Sequence, residues 1–245
     1  MERDSKGLAI VIKTESVRAS DRLLWLLTPD RGIIKCYSFG SRKSIKSVKA
    51  PLYTEGNFSL YQKGENGQIS LKDIDVIATH ENVFSSIETI AVSSLISEII
   101  IKSRDSDGYI YSLLVDALDG LEDHNPDLVA SSFLLKYLKH SGMCADFKHC
   151  PCCGRVYAKD EILGFSSHDR VAVCSECDTM DKTLILPENA RAFCARVLEL
   201  KFSECLALGI SDQQIQRIFR YLLRTLKLVF PANLKTLESG LLVQL

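Results

Sequence analysis

Two cysteine pairs of the form C-x2-C, Cys150-Pro151-Cys152-Cys153 and Cys174-Ser175-Glu176-Cys177, constrain this chain more than any other feature. A two-residue gap lets a loop turn back so that both thiolates face one ion, and two such loops close a tetrahedral Zn2+ shell. Gly154, after the first pair, permits the tight backbone that such a knuckle needs. The candidate ligands are Cys150, Cys153, Cys174 and Cys177, holding one structural zinc ion. Cys152 and His149 stand beside them as competitors, although the C-x-C spacing of Cys150 and Cys152 is sterically poorer.

Four thiolates fill the coordination shell, whereas a catalytic zinc keeps one position open for water. The spacing therefore argues for a structural role and against an enzyme. A zinc deaminase needs H-x-E and P-C-x-x-C. Here Pro151-Cys152 is followed at the required position by Arg155, and neither His149 nor His168 begins H-x-E. The intervening RVYAKDEILGFSSHDRVAV reads as a short strand pair that the ion would pin.

The rest of the chain divides by its hydrophobic period. From residue 7 to about 78, short apolar runs alternate with turn signals: GLAIVIKT, RLLWLLT, GIIKCYSFG and NFSLYQKGENGQISLKDIDVI. Thr28-Pro29-Asp30-Arg31-Gly32 and Glu65-Asn66-Gly67-Gln68 are turns between strands. About five strands in this space predict a small barrel, an OB-fold or an SH3-like barrel. After His80 the pattern becomes helical, in AVSSLISEIIIKS, YIYSLLVDALDGLED, PDLVASSFLLKYLKHSG, PENARAFCARVLELKFSECLAL and SDQQIQRIFRYLLRTLKLVF. The last has Ser211 and Gln214 at capping-box spacing. Its residues Ile215, Ile218, Phe219, Leu222, Leu226 and Val229 form a narrow stripe opposite Arg217, Arg220, Arg224 and Lys227. The expected class is α+β and multidomain: a barrel over 1–80, helices over 81–146 and 181–245, and a zinc-binding insert over 147–180.

No apolar run reaches the length of a membrane span, and MERDSKGLAIVIKTES has no signal-peptide core. Nine cysteines without a route to an oxidising compartment read as thiols or ligands, which places the chain in the cytoplasm. A net charge of -1 gives no global attraction to nucleic acid, so such a partner needs a local patch. Arg31, Lys35, Arg42, Lys43, Lys46 and Lys49 supply one, in a stretch from 31 to 49 without any acid. GSRKSIKSVKAP reads as a loop whose cations can follow a phosphate backbone, although such loops are usually only solvated. Tyr37, Phe39, Tyr53, Phe58 and Tyr61 flank it as candidates for base stacking, with one or two of them expected to serve and the rest to be core.

In this order, a strand barrel, a basic loop, helices and a four-cysteine site, the chain resembles the RecO family of bacterial recombination mediators over essentially its full length. SVRASDRLLWLLTPDRGIIKCYSFGSRKS is similar to the family's barrel signature, which ends in a Gly-small-Arg-Arg/Lys stretch, while Tyr53-Thr54-Glu55 departs from the family's Leu-Gln-Pro-aromatic pattern. The resemblance implies an OB-fold, a helical body and a zinc insert in a protein that binds single- and double-stranded DNA and anneals complementary strands. It also implies action at the nucleoid with RecR and the acidic tail of single-stranded-DNA-binding protein, indirectly loading RecA, and no enzyme activity. Carried over, the ligands fall on Cys150, Cys153, Cys174 and Cys177, and DNA contacts on Arg42, Lys43, Lys46 and Lys49; Lys35, from the same acid-free stretch, joins them as a DNA-binding candidate on charge alone. Arg217, Arg220 and Arg224 are candidates for the acidic tail, and NLKTLES resembles a degraded Leu-Lys-Ser segment that adds Lys235. A zinc-stabilised protein-interaction adaptor with a merely solvated loop is the alternative.

Overall fold

In the computed structural model, residues 4–17, 20–40, 48–64, 67–103, 106–166, 168, 171–178, 185–240 and 242 are described. The period-2 segment forms β1 (Asp4–Ser16), β2 (Arg22–Thr28), β3 (Gly32–Ser38), β4 (Glu55–Gln62) and β5 (Ile69–Ala78). These strands close into a barrel in the order β1-β2-β3-β5-β4. β1 serves two neighbours: Asp4–Ile10 pairs with β4 and Ile10–Ser16 with β2, and a register shift between Val11 and Lys13 marks its bend. Ala9, Val11, Leu24, Leu26, Cys36, Phe58 and Leu60 point inward as the core. Because successive side chains alternate, Trp25, Lys35 and Tyr37 point to the other face.

The turn between β2 and β3 forms where its residues predict. The Thr28 hydroxyl donates to the Gly32 carbonyl at 2.8 Å and accepts from the Arg31 N–H at 3.0 Å. The Asn66-Gly67 turn involves residues outside the described ones, as do Arg42, Lys43 and Lys46. Among the aromatics, Tyr53 and Phe58 are each 1% exposed and belong to the core. Tyr37 and Tyr61 are half-buried and Phe39 is exposed.

The helical part comprises α1 (Ile87–Ser103), α2 (Gly108–Asp123), α3 (Pro126–His140), α4 (Glu188–Glu199), α5 (Phe202–Leu206), α6 (Asp212–Val229) and α7 (Lys235–Glu238). Two strands, β6 (Gly164–Ser166) and β7 (Val171–Val173), interrupt it as an antiparallel pair. The chain has two compact units: residues up to Ser85 with Ile99–Val115, and Ser86–Glu98 with everything from Asp116 onward. No helix among the described residues is long and apolar enough to cross a membrane.

In the second unit α3 is the central helix, buried continuously from Leu128 to Leu138 and packed on α4, α5 and α6. Asn125 caps it by accepting the Asp127 N–H at 2.9 Å, with Pro126 in the first turn. The segment 187–208, expected as one helix, is instead two. The backbone turns extended at Leu200 and Lys201, where the buried Lys136 donates to the carbonyls of Val197, at 3.1 Å, and Leu200. A cation on the last carbonyls of α4 replaces the hydrogen bonds that a continuing helix would make. The expected capping box of α6 is present at Ser211 and Gln214. Its stripe is buried from Ile215 to Leu226 and wider than expected, because Tyr221, Leu223 and Thr225 join it, while Val229 at the helix end is half-buried.

Candidate metal centre and nucleic-acid interface

Each cysteine pair sits in a tight turn whose backbone brings its two sulfurs together. In the first, Gly154 N–H donates to the Cys150 carbonyl at 2.8 Å, with Gly154 at φ 76°, a conformation that glycine adopts without a Cβ clash. In the second, Cys177 N–H donates to the Cys174 carbonyl at 3.0 Å. The strand pair β6-β7 brings one turn to the other. Gly164 keeps this passage open, because a Cβ there would lie 2.2 Å from Cγ of Asp178.

The sulfurs of Cys150, Cys153, Cys174 and Cys177 all lie within 4.8 Å of one another. A tetrahedral zinc with bonds of about 2.3 Å sets sulfur–sulfur edges of about 3.8 Å, and Cys153 and Cys174 Sγ stand at 3.7 Å. The donor set thus fits a closed four-thiolate shell. Cys152 is exposed and falls outside the group, and the His149 ring is 3.1 Å from the Asp146 carboxylate. Burial acts to raise the Cys150 thiol, yet backbone N–H groups of Cys174, Cys153 and Cys152 bring it down to about 6. The backbone N–H groups thus favour the thiolate at Cys150, while the neighbouring cysteine sulfurs push the Cys177 thiol up.

A brace around the cluster is absent from the sequence reading. Glu161 binds the Arg155 guanidinium through both carboxylate oxygens and accepts the N–H groups of Ala158 and Ser175, each at 3.0 Å. Arg155 follows the first turn and Ser175 lies inside the second, so one carboxylate joins the two. The Arg155 guanidinium, working against burial and helped by the two N–H groups, lowers Glu161 to about 2. Arg191 of α4 ties the module down by donating to the Ala158 and Lys159 carbonyls, both at 2.8 Å, and lying over the Tyr157 ring.

On the barrel, Lys35 is exposed on β3 and Lys49 is exposed before β4. Lys35 pairs across the sheet with Trp25, which pairs in turn with Lys13. The two ammonium groups lie over the Trp25 ring, at 3.8 Å for Lys35 and 4.8 Å for Lys13. Trp25 and Lys13 were not among the sequence candidates. RLLWLLT carries little signal for this, being apolar almost throughout; it is the inward placement of Leu24 and Leu26 that leaves Trp25 on the opposite face.

The candidate partner residues do not form one site. Arg220 and Arg224 line a cleft of about 460 Å³ with Lys227, Leu223, Leu237 and Leu242. Arg217 instead lines a groove of about 640 Å³ with Arg196, Phe193, Ile218 and Tyr221. Lys235 is exposed at the start of α7, where its backbone N–H donates to the Glu98 carboxylate at 2.8 Å.

These features define a class of chain in which a five-stranded barrel is followed by helices carrying a four-thiolate insert. The family model for the N terminus of recombination protein O matches residues 1–80, and that for its C terminus matches residues 85–238. The chain belongs to the RecO family. It is 28% identical over 185 residues to the DNA repair protein RecO of Clostridium novyi, covering 73% of this chain and 70% of that relative. With the protein of that name from Clostridium kluyveri the identity is 24% over 230 residues, 89% of this chain and 80% of the relative. With that of Listeria monocytogenes serotype 4a it is 26% over 187 residues, 74% and 71% respectively. The family carries a role in DNA repair and recombination.

Proposed function

We propose that this chain is a DNA-annealing recombination mediator. Its barrel is read as an OB-fold that binds single- and double-stranded DNA, and its helical part as the dock for RecR and the acidic tail of single-stranded-DNA-binding protein, so that RecA is loaded on covered strands. The observation that carries this reading is the outer face of β1-β2-β3, where lysines alternate with aromatic rings. The strand order, with β3 parallel to β5, supports the OB assignment.

In this reading Lys35, Arg42, Lys43, Lys46 and Lys49 neutralise phosphates on two strands and lower their mutual repulsion, and no covalent bond changes. Cys150, Cys153, Cys174 and Cys177 hold one zinc ion that fixes the insert. Arg220, Arg224 and Lys227 on the rim of a leucine-lined cleft suit a tail that is acidic and apolar at once. Neutralising about four to six phosphates gives single-strand affinity a slope against log salt of roughly -3 to -4. Salt-independent affinity would overturn the reading. The double reversal Lys43→Glu and Lys46→Glu is expected to abolish annealing, whereas an adaptor with a solvated loop would keep its partner binding intact.

A further inference from the structure

We infer that the stacked pair Tyr37 and Phe39 is a platform for one unstacked base of a single strand, with Lys35 at its side for the adjoining phosphate and Trp25 as the post that positions that lysine. The inference rests on the DNA-binding reading and goes beyond it in naming which residues separate single strands from duplex.

The two rings lie 5.9 Å apart with an interplanar angle of 12°, so Tyr37 holds Phe39 nearly parallel to itself. Phe39 is 50% exposed. A large apolar ring left half in water but fixed in angle offers a flat face, and a nucleobase is the flat partner that such a face takes. Lys35, Tyr37 and Phe39 follow one another at every second residue, which puts Lys35 and Tyr37 on the same face of β3.

Charge singles out Lys35. Lys13 is engaged with Glu15 at 2.5 Å, and Lys72 with Asp4 at 2.6 Å. Among the described residues no carboxylate pairs with Lys35, whose ammonium rests only on the Trp25 ring. The buried Nε1 of that ring makes no hydrogen bond to a described residue. Ordering a long lysine beforehand removes part of the entropy that a phosphate contact would otherwise cost. A duplex keeps its bases stacked and cannot offer one to Phe39, so the platform serves single strands alone.

The test uses the full chain with oligo(dT) and a blunt duplex of equal length. Phe39→Ala is expected to weaken oligo(dT) binding about tenfold and to leave duplex binding unchanged, while Phe39→Tyr restores it. Unchanged oligo(dT) affinity in Phe39→Ala, with salt-dependent binding intact, overturns the platform and leaves the DNA-binding reading standing. A wild-type chain that binds no DNA overturns both. Trp25 is the single tryptophan of the chain, so its emission reports on the lysines over its ring, Lys35 at 3.8 Å and Lys13 at 4.8 Å, and Lys35→Gln isolates the former. Saturating oligo(dT) is expected to change that emission in the wild type and not in Lys35→Gln. Saturable binding without any change overturns the role of Trp25 as a post.

Discussion

The carboxylate of Glu161 accepts the backbone N–H of Ser175 at 3.0 Å, inside the second cysteine turn, while it grips Arg155 just beyond the first. The cluster geometry thus depends on a residue that is not itself a ligand. Groups that hold ligands in place from outside the shell typically contribute about 10–100-fold in metal affinity. Glu161→Ala is therefore expected to weaken zinc binding by that factor in competition with a chromophoric chelator. Glu176→Ala, whose carboxylate is exposed and 4.0 Å from Arg155 Nε, serves as the control and is expected to change little. Equal affinities for both variants would remove Glu161 from this role.

One zinc per chain is the expected stoichiometry, released by thiol modification, because a closed thiolate shell couples metal binding to local folding. Cys174→Ala is expected to lose the ion, since its sulfur is buried within the group, and Cys152→Ala to keep it, since that thiol lies outside. Hydrogen exchange locates the consequence: removing zinc should raise amide exchange around β6 and β7 and leave β1 to β5 unchanged. Retention of the ion by Cys174→Ala would reassign the ligands.

The barrel was legible because one face of each strand is buried, which writes a period of two into the sequence, and the four sulfurs because metal geometry restricts loop length. Neither rule reaches contacts between residues distant in the chain. Glu161 looks like an ordinary surface acid until both cysteine turns close on it. The division of α4 from α5 is set by Lys136, which lies 61 residues before Val197 in the chain and reads locally as a solvated position on an amphipathic helix. The outward ring of Trp25 was hidden for a different reason, since four leucines around it made the whole run RLLWLLT look buried.

Lys136 also carries a stability prediction. It is 8% exposed and donates to two carbonyls at the end of α4. Lys136→Met keeps the apolar stem and removes the donor, leaving both carbonyls without it. The Val197 carbonyl keeps only the weak Cys205 thiol donor at 3.5 Å, and the Leu200 carbonyl is half-buried; at about 1–3 kcal/mol for a buried acceptor that loses its partner, a loss of about 1–3 kcal/mol is expected in denaturant unfolding. An unchanged midpoint would mean that water or another group replaces the ammonium.

The thiol of Cys36, enclosed in the barrel core, is pushed by burial from 9.0 up to about 12. As pH rises through about 9 the unfolded thiol loses its proton while the folded one keeps it, so the unfolded state binds fewer protons and stability falls. Between pH 8 and pH 10 this thiol alone removes about 1.4 kcal/mol. Other buried thiols and phenols act in the same direction, so the measurement is a difference. Cys36→Val removes the ionisable group at similar volume, and its unfolding free energy is expected to fall less than that of the wild type over this interval, by about 1.4 kcal/mol. Parallel curves for the two chains would show that water reaches the barrel core.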